Sequence, residues 1–363
     1  VMEGKAVLFK RFAGIDVFDI EINENDPKLL AETIERLEPT FGGINLEDIK
    51  APDCFYVEKY LRERLSIPVF HDDQHGTAIV VASALMSALT VVGKDIKQIK
   101  LVTSGAGAAA LSCLNLLVSM GLDKENIIVT DSKGVIFEGR TQSMDEYKQT
   151  FARNTPLRTL AEAMVGADVF LGLSAGNLLK PEVLELMSIK PIVFALANPT
   201  PEIDPDLAKK VRPDVVVATG RSDFPNQVNN VLCFPFLFRG ALDVGATEIN
   251  EAMKVACVEA LSRLARAGTN DVVANAYHGE SLTFGPEYLI PKPFDQRLIL
   301  ELAPAVAQAA MDSGVATQPI EDMEAYRLKL TSFVFRSGMF MKPVFDKARE
   351  QLRKVVFAEG ENP

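Results

Sequence analysis

Cysteine is scarce in this chain, and the four present, Cys54, Cys113, Cys233 and Cys257, stand far apart. None forms a CxxC pair or a compact zinc-binding spacing, which argues against a disulfide scaffold and a cysteine-based zinc site. The pattern predicts a reduced, cytoplasmic protein. No signal peptide is visible, and the chain begins inside what already reads as structure, so we expect a further segment upstream of Val1.

An excess of basic residues is also missing. The chain has 38 lysines and arginines against 49 acids, a formal net charge of −11. This balance predicts that the protein binds neither nucleic acid nor an anionic membrane surface, although a local positive pocket for a small anion is still allowed. With 48% hydrophobic and 24% charged residues, the composition is that of a globular protein, and 363 residues predict two domains.

Long hydrophobic runs are limited to one. Residues 76–93, "GTAIVVASALMSALTVVG", carry no formal charge and are long enough for a transmembrane span. They are rich in alanine, serine, threonine and glycine, and there is no second run of this kind. We therefore predict a buried helix packed through small residues and no membrane segment.

The first 75 residues mix strand-like and helical patterns. "KAVLF" and "GIDVFDIEI" predict strands, whereas "DPKLLAETIERLEP" and "DCFYVEKYLRERL" have apolar residues at helical spacing. "IPVFHDD" predicts a short strand that ends in acids. We interpret residues 1–75 as part of a small α/β catalytic domain.

The middle of the chain alternates apolar strand-like segments with helical patterns. The strand-like segments are "IKLVTS", "NIIVTD", "DVFLGLS", "PIVFALAN" and "DVVVATG". This rhythm predicts a doubly wound parallel sheet of the Rossmann type over residues 76–230. Residues 231–350 read as a mostly helical part that packs back on the catalytic domain. Residues 351–363 contain a fresh strand, "KVVFAE", which predicts the start of a truncated following domain.

A glycine-rich turn follows the first strand of this rhythm. In "VTSGAGAAA", Gly105, Gly107 and Ala110 form a GxGxxA pattern, with Ala106 and Ala108 between them. A strand before it and a helix after it are the context of a dinucleotide site, in which the helix N-terminus receives the pyrophosphate. The alternative is a glycine-rich turn that binds nothing.

The second strand ends in "TDSKG". An acid at the position of Asp131 commonly receives the adenine-ribose hydroxyls, which favours NAD. Ser132 and Lys133 could instead neutralise a 2′-phosphate, which favours NADP, and Lys133 could equally be a solvated loop lysine. The residues therefore predict a nicotinamide dinucleotide without deciding between NADP and NAD.

Two acid pairs lie at predicted strand ends. "NLED" ends in Glu47 and Asp48, and "FHDD" ends in Asp72 and Asp73. Four carboxylates in one small domain would repel each other without a cation, and hard oxygen ligands suit Mg²⁺ or Mn²⁺. Neighbouring side chains on a strand point to opposite faces, so Glu47 and Asp48 can share an ion only if the backbone bends there. Taken singly, each pair also reads as a solvated loop.

On local sequence alone, ordinary structural roles explain three further candidate residues. Lys5 stands at the start of the first predicted strand, where a surface lysine is expected. Asn198 ends a predicted strand in "ALANPTPE", and Asn230 ends "PNQVNN". Their neutral amides suit a dicarboxylate substrate, but asparagines are also common turn formers.

The chain resembles bacterial malic enzyme over residues 1 to about 345. The stretches that carry the resemblance are "EGKAVLFKRFAGIDVF", "FGGINLEDIKAPDCF", "IPVFHDDQHGTA", "SGAGAAA", "TDSKGVIFEGR", "FALANPTPEI", "TGRSDFPNQVNNVLCFPFLFRGALD" and "FGPEYLIPKPFD". The terminal "RKVVFAEGE" is similar to the opening of the phosphotransacetylase-like domain of the large hybrid malic enzymes. The resemblance therefore implies the malic part of such a hybrid.

The resemblance also implies roles for the candidate residues. The implied divalent-metal ligands are Glu47, Asp48 and Asp73, and the implied malate contacts are Asn198 and Asn230. Lys5 matches the base that takes the hydroxyl proton, with Asp72 holding it, and we expect burial and a nearby cation to lower the pKa of Lys5. The family's catalytic tyrosine lies in a "YSPG"- or "YTPG"-like stretch. That stretch does not occur here, so we expect it in a preceding segment.

The implied activity is oxidative decarboxylation of L-malate to pyruvate and CO₂, with NADP or NAD and with Mg²⁺ or Mn²⁺. The resemblance further implies a homodimer or a higher homo-oligomer. Two alternatives differ in class: a metal-independent NAD(P) dehydrogenase, which would leave the acid cluster without a role, and a non-catalytic cofactor-sensing module. Sensitivity of turnover to a chelator distinguishes the first, and NADP binding without turnover distinguishes the second.

Overall fold

A computed structural model describes residues 1–267 and 283–334 of the chain. The chain forms two compact units, Val1–Pro319 and Ile320–Pro363. In the second unit, residues 323–334 are helical. The predicted start of a following domain at 351–363 lies outside the described residues.

The N-terminal region is a small α/β layer built on two short strands. Its helices are α1 (Met2–Ala13), α2 (Pro27–Glu35) and α3 (Asp53–Arg62), and its strands are β1 (Ile44–Leu46) and β2 (Val69–His71). The strands pair in parallel, with Leu46 opposite His71, so both end at the same edge. Apolar side chains of α2 and α3, among them Ala31, Val57 and Leu61, pack with these strands into one core. This layer holds both predicted acid pairs at its strand ends.

The strand predictions for "KAVLF" and "GIDVFDIEI" are wrong. The first segment lies inside α1, in which Phe9 and Ala13 are buried one turn apart while Val7 is 62% exposed. Phe9 packs against Phe234, with ring centroids 4.8 Å apart. Burial of residues four apart is the spacing of a helix, and a four-residue apolar run is too short to reveal that period. The second segment has no regular secondary structure.

The central sheet has six strands in the order β5-β4-β3-β6-β7-β8. Its strands are β3 (Leu101–Ser104), β4 (Ile127–Asp131), β5 (Gly134–Val135), β6 (Val169–Gly172), β7 (Ile192–Ala195) and β8 (Val216–Thr219). All neighbours pair in parallel except β5, which runs antiparallel to β4 at the edge. The structure thus confirms the predicted α/β, Rossmann-type fold.

Helices connect the strands and complete the unit. They are α4 (Thr77–Val92), α5 (Ala108–Ser119), α6 (Glu146–Gln149), α7 (Leu160–Met164), α8 (Pro181–Leu184), α9 (Pro205–Val211), α10 (Phe234–Asp243), α11 (Glu251–Arg266) and α12 (Arg297–Asp312). α7, α8 and α9 share one apolar cluster with the sheet, including Met164, Leu184 and Ala208. α10 packs on α1 and α12, and α11 packs on α4 and α12.

The uncharged run forms the buried helix that its composition predicted. Within residues 1–267 and 283–334, Asp72–Val92 is the one helical stretch long and apolar enough to cross a membrane, and 72% of its apolar window is buried. α4 packs on α5 and α11. Its alanines and serines let these neighbours approach closely, so the run is a core helix of the first unit.

Candidate active site

The acid pair after β1 reaches its position through a bend in the backbone. Asp48 has a φ of 56°, in the left-handed region that non-glycine residues seldom adopt. Because of this bend, Asp48 does not follow the alternation by which neighbouring strand residues point to opposite faces. Glu47 and Asp48 can therefore approach the same ion. The amide N–H of Asp48 donates to Asp73 Oδ2 at 3.0 Å, which connects the end of β1 to the residues after β2.

Glu47, Asp48 and Asp73 form a carboxylate cluster. Each offers an oxygen, and these three oxygens lie within 4.8 Å of one another. Asn45 Nδ2 donates to Glu47 Oε2 at 3.2 Å and helps to hold that side chain. Three hard oxygen donors close together are a ligand set that Mg²⁺ or Mn²⁺ favours, so the residues fit the implied ion.

Asp72 and Asp73 belong to a π-helical turn, Asp72–Gly76, that joins β2 to α4. Such turns are rare and recur at functional sites. A side chain at Gly76 would disturb this arrangement, because a Cβ atom would collide with Asp72 Oδ1 and would lie 3.4 Å from Asn230 Nδ2. The turn thereby places the fully buried Asp72 inside the site and leaves Asp73 at its mouth.

Lys5 reaches the cluster from α1. Its ammonium donates to Asp72 Oδ2, and it lies 2.9 Å from Glu47 Oε2. The same ammonium sits 4.5 Å from the centre of the Phe234 ring. The Lys5 side chain is 14% exposed, so the surface reading of this lysine is wrong. This prediction is wrong for the same reason as the predicted strand at "KAVLF". The segment is a helix, and helical spacing turns Lys5 inward.

Burial and charge shift the pKa values of these groups in different directions. Burial raises the pKa of Glu47 to about 7, against the lowering effect of Lys5. Burial likewise raises the pKa of Asp72, although Lys5 and Asn230 oppose it. Burial lowers the pKa of Lys5, but the carboxylates of Asp72 and Glu47 outweigh it and the net direction is upward. The expected lowering of the Lys5 pKa is therefore not found in the protein alone.

The two candidate asparagines occupy different places. Asn230 Nδ2 lies 3.2 Å from both Asp72 O and Asp72 Oδ2, and Thr77 Oγ1 donates to Asn230 Oδ1 at 3.2 Å. Asn198 follows shortly after the end of β7, and its amide lies against Gly220 beyond β8. The structure therefore joins Asn230 to the Lys5–Asp72 pair and places Asn198 at the carboxyl edge of the central sheet.

A pocket of about 700 Å³ opens in front of these groups. Lys5, Glu47 and Asp48 are part of its polar lining, and Phe9 and Phe238 are among its apolar lining. Two lysines, Lys5 and Lys50, line it together with a larger number of carboxylates, so an anionic substrate needs a bound divalent cation beside the lysines to offset the acids. Among the described residues that line the pocket there is no tyrosine.

The glycine-rich turn has the geometry of a phosphate cradle. Gly105 has a φ of 111°, and a Cβ atom there would lie 2.5 Å from the Leu173 carbonyl oxygen. Gly107 is the N-cap of α5, without a side-chain cap, and no heavy atom lies within 4 Å of the place where its Cβ would be. Ala106 and Ala108 flank that open space, and Ala110 is buried. The turn thus offers a helix N-terminus and room for a pyrophosphate.

Asp131 ends β4, as predicted, and Ser132 and Lys133 form the exposed two-residue tip between β4 and β5. Sequence reasoning missed the principal partner of Asp131. Arg140 Nη2 lies 2.7 Å from both Asp131 carboxylate oxygens. Arg140 stands nine residues further on in a polar stretch, and no local motif signals the pairing.

A second set of polar contacts, which the sequence did not reveal, connects the π-helical turn to the helices around it. The π-helical turn packs on α5, where Ser112 Oγ lies 3.4 Å from Gln74 Oε1. His75 Nε2 lies 2.7 Å from Glu58 Oε1, and Lys254 Nζ lies 3.4 Å from His75 Nδ1. Glu58 lies in the middle of α3 and reads in the sequence as an ordinary helix acid, so nothing in the sequence indicates that it is buried. The helix that begins at the phosphate cradle therefore supports the turn that carries the acids.

These features define a class: a Rossmann-type nucleotide-binding protein with a carboxylate cluster suited to a divalent cation. Residues 74–274 match the family model "Malic enzyme, NAD binding domain", and residues 1–62 match "Malic enzyme, N-terminal domain". The first model alone covers more than half of the chain. The chain belongs to the malic enzyme family.

Named relatives agree with this assignment. The chain is 62% identical to an NAD-dependent malic enzyme of Rhizobium meliloti (strain 1021), over 100% of the chain and 47% of that protein. It is 61% identical to an NADP-dependent malic enzyme of Salmonella typhimurium, over 99% of the chain and 48% of that protein. The crystal structure of malic enzyme from Pyrococcus horikoshii Ot3 superposes with a TM-score of 0.82 at 40% identity, covering 96% of this chain and 79% of that one. The chain spans about half the length of the curated relatives it matches.

Proposed function

We propose that this protein catalyses the oxidative decarboxylation of L-malate to pyruvate and CO₂, with NADP or NAD as hydride acceptor. The observation that carries the proposal is the convergence of Glu47, Asp48 and Asp73 next to the buried Lys5–Asp72 pair. A Rossmann-type sheet with a phosphate cradle stands in the same compact unit. Family membership supports the same activity.

Glu47, Asp48 and Asp73 would hold Mg²⁺ or Mn²⁺. When bound, that ion would supply Lewis-acid polarisation of the hydroxyl and keto oxygens of the substrate. The turn from Gly105 to Ala110 would hold the dinucleotide, whose nicotinamide supplies the hydride acceptor. The apolar wall at Phe9 and Phe238 would exclude water from the reacting carbons.

Lys5 is the proposed base for the malate hydroxyl. Its ammonium faces the pocket and is hydrogen-bonded to Asp72, so Asp72 fixes its position and is the nearest group to accept the proton that Lys5 must first lose. Burial raises the pKa of Asp72, which favours that transfer, whereas the raised pKa of Lys5 opposes it. Asn230 bonds to Asp72 and completes this support, while its role as a malate contact, and that of Asn198, are proposals.

Steady-state kinetics test the proposal. The protein is assayed with L-malate, Mn²⁺ and each nicotinamide in turn, with formation of reduced nicotinamide and of pyruvate measured in parallel. We expect equal amounts of both products and loss of activity after dialysis against EDTA, restored by Mn²⁺. Hydride transfer that persists in EDTA without pyruvate would support a metal-independent dehydrogenase, and dinucleotide binding without turnover would support a cofactor-sensing module.

We also propose that the chain is the malic part of a large hybrid malic enzyme and that it assembles as a homodimer or a higher homo-oligomer. The support for the first is the 61–62% identity to relatives about twice as long as the matched segment. The domain division at 75, 230 and 350 belongs to the same proposal. Light scattering of the purified protein measures the assembly, and a monomer at micromolar concentration would contradict it.

A further inference from the structure

Glu202 is a buried carboxylate at the carboxyl edge of the central sheet, and the proposed chemistry does not use it. It lies in the loop after β7, four residues beyond Asn198, and none of its surface is exposed. Its hydrogen-bond donors are backbone N–H groups rather than a lysine or an arginine. Burial raises the pKa of Glu202, and hydrogen bonds from Ser174 and Ala197 oppose the rise without cancelling it. A carboxylate buried in this way is costly, which points to a function beyond packing.

The Glu202 carboxylate connects the loops that follow β6 and β7. Ser174 N, in the first loop, donates to Glu202 Oε1 at 2.9 Å. Ala197 N, in the second loop, donates to Glu202 Oε2 at 3.0 Å. The backbone adds a bond from Leu179 N to Glu202 O at 2.9 Å. One side chain therefore fixes the two loops relative to each other.

The end of β6 leaves room for this carboxylate. Gly172 is the last residue of β6, and a Cβ atom there would lie 2.4 Å from Glu202 Cδ. The backbone at Gly172 is that of a β-strand, which any residue can adopt, so glycine is needed here for space. The glycine and the glutamate therefore belong to one arrangement.

The loop after β6 also packs on the phosphate cradle. Leu173 N donates to Ser104 O at 2.8 Å, and Ser104 Oγ lies 2.8 Å from Ser174 Oγ. Leu173 O lies 2.5 Å from the place where a Cβ of Gly105 would be. The loop that Glu202 holds is thus in direct contact with the residues that begin the glycine-rich turn.

The sheet topology assigns these loops to one half of the dinucleotide. The strand order reverses between β3 and β6, and a dinucleotide crosses such a sheet at this point. The adenine half then lies on the side of β3 and β4, and the nicotinamide half lies on the side of β6 and β7. Residues 174–178 and 198–200 are exposed in the two loops, so they are available to the nicotinamide half.

We infer that Glu202 is a positioning residue whose carboxylate holds the loops after β6 and β7 in the arrangement that receives the nicotinamide half of the dinucleotide. The inference rests on the proposed function, since it concerns the hydride acceptor of that reaction. Glu202 is itself buried, so it acts through the loops that it holds.

Binding titrations with matched probes separate the nicotinamide half from the adenine half. NADH is compared with ADP-ribose, and NADPH with 2′-phospho-ADP-ribose, because each pair differs only by the nicotinamide. We expect the wild-type protein to bind the reduced dinucleotide of at least one pair more tightly than its fragment. Glu202→Gln keeps the shape of the side chain but leaves one backbone N–H without an acceptor, so this nicotinamide advantage should fall about five- to tenfold. Affinity for the fragment should change by less than about twofold, because the cradle is kept.

Gly172→Ala tests the same arrangement without removing the carboxylate. The Glu202 carboxylate is the end of a flexible side chain, so it should move away from the new Cβ atom. The nicotinamide advantage should again fall about five- to tenfold. The fluorescence emission of bound NADH or NADPH, which reports the surroundings of the nicotinamide ring, should change in both variants.

Asp168→Asn is the control, because Asp168 accepts from Lys100 N at 2.8 Å at the opposite end of β6. This variant also loses a bond to the backbone, but its nicotinamide advantage should stay within about twofold of wild type. The inference is overturned, while the proposed function stands, by an undiminished advantage in Glu202→Gln or Gly172→Ala, by an equal loss in Asp168→Asn, or by no advantage in wild type. Failure of the wild-type protein to bind any of the four probes overturns the proposed function together with the inference.

Discussion

Replacing Asp72 by asparagine separates the chemistry of the site from its contribution to the fold. Asp72 is fully buried, receives the Lys5 ammonium on Oδ2, and accepts from Asn230 at 3.2 Å. The Asp72→Asn side chain keeps the shape and one acceptor oxygen. The substitution removes the negative charge that holds Lys5 and that takes up its proton.

The size of the effect follows from these contacts. Loss of one charge-assisted hydrogen bond costs about 1.5–3 kcal/mol of folding free energy. Lys5 remains 2.9 Å from Glu47 and above the Phe234 ring, so no unpartnered buried charge remains to add the larger penalty of a broken buried pair. The loss of proton transfer should lower kcat by about 10²–10⁴.

Asp168→Asn is the matched control. Asp168 accepts from Lys94 Nζ and Ser188 Oγ at 2.7 Å each and from Lys100 N at 2.8 Å. The Asp168→Asn substitution should therefore also cost about 1.5–3 kcal/mol of folding free energy. Asp168 stands at the start of β6, at the opposite end of the strand from the carboxyl edge. Urea unfolding and malate kinetics are measured on both variants. A kcat within about threefold of wild type for Asp72→Asn, or an equal kcat loss in both variants, would refute the reasoning.

Three other changes have expected outcomes. Asp73→Ala should weaken Mn²⁺ binding, measured by electron paramagnetic resonance, and abolish turnover, while titrated NADP⁺ affinity is kept. Gly76→Ala should push the Asp72 carboxylate out of place and lower kcat by about tenfold or more at unchanged NADP⁺ affinity. The stability that Asp168 contributes to the fold depends on pH. Burial raises the pKa of Asp168, but hydrogen bonds from Lys94, Lys100 N and Ser188 outweigh burial and lower the pKa. Its stabilisation is therefore complete above about pH 4 and is lost as pH falls through the lowered value, so the melting-temperature gap between wild type and Asp168→Asn should close in acid.

Each of these expectations has a contrary result. Wild-type Mn²⁺ affinity in Asp73→Ala would remove that residue from the ion site. Full activity of Gly76→Ala would mean that the π-helical turn tolerates a side chain and does not position Asp72. A melting-temperature gap that widens below about pH 4 would reverse the sign assigned to Asp168.

The sheet domain could be predicted because each of its elements obeys a local rule. β3, β4, β6, β7 and β8 are short apolar runs buried on both faces, and the GxGxxA turn sits between a strand and a helix. The acid cluster could be predicted as a possibility, since both pairs end strands that turned out to be parallel neighbours. A shared ion requires a bend at Asp48, yet a left-handed aspartate leaves no mark in the sequence.

Other features depend on contacts between distant segments. Phe9 of α1 packs on Phe234, more than two hundred residues away, and a short apolar run does not reveal such a partner. The direction of the Lys5 pKa depends on two carboxylates from separate strand ends. The Arg140–Asp131 pair is closer in the chain, nine residues apart, yet it too forms only when the segment between them has folded. These interactions exist only after the fold has formed, so composition and spacing could not show them.

The most direct test of the ion site is anomalous diffraction from crystals of the protein grown with Mn²⁺ and NADP⁺. We predict one manganese peak bounded by the carboxylates of Glu47, Asp48 and Asp73, with Lys5 on the same side of the pocket. A manganese peak elsewhere, or none at these residues in crystals that still convert malate, would contradict the proposed ion site.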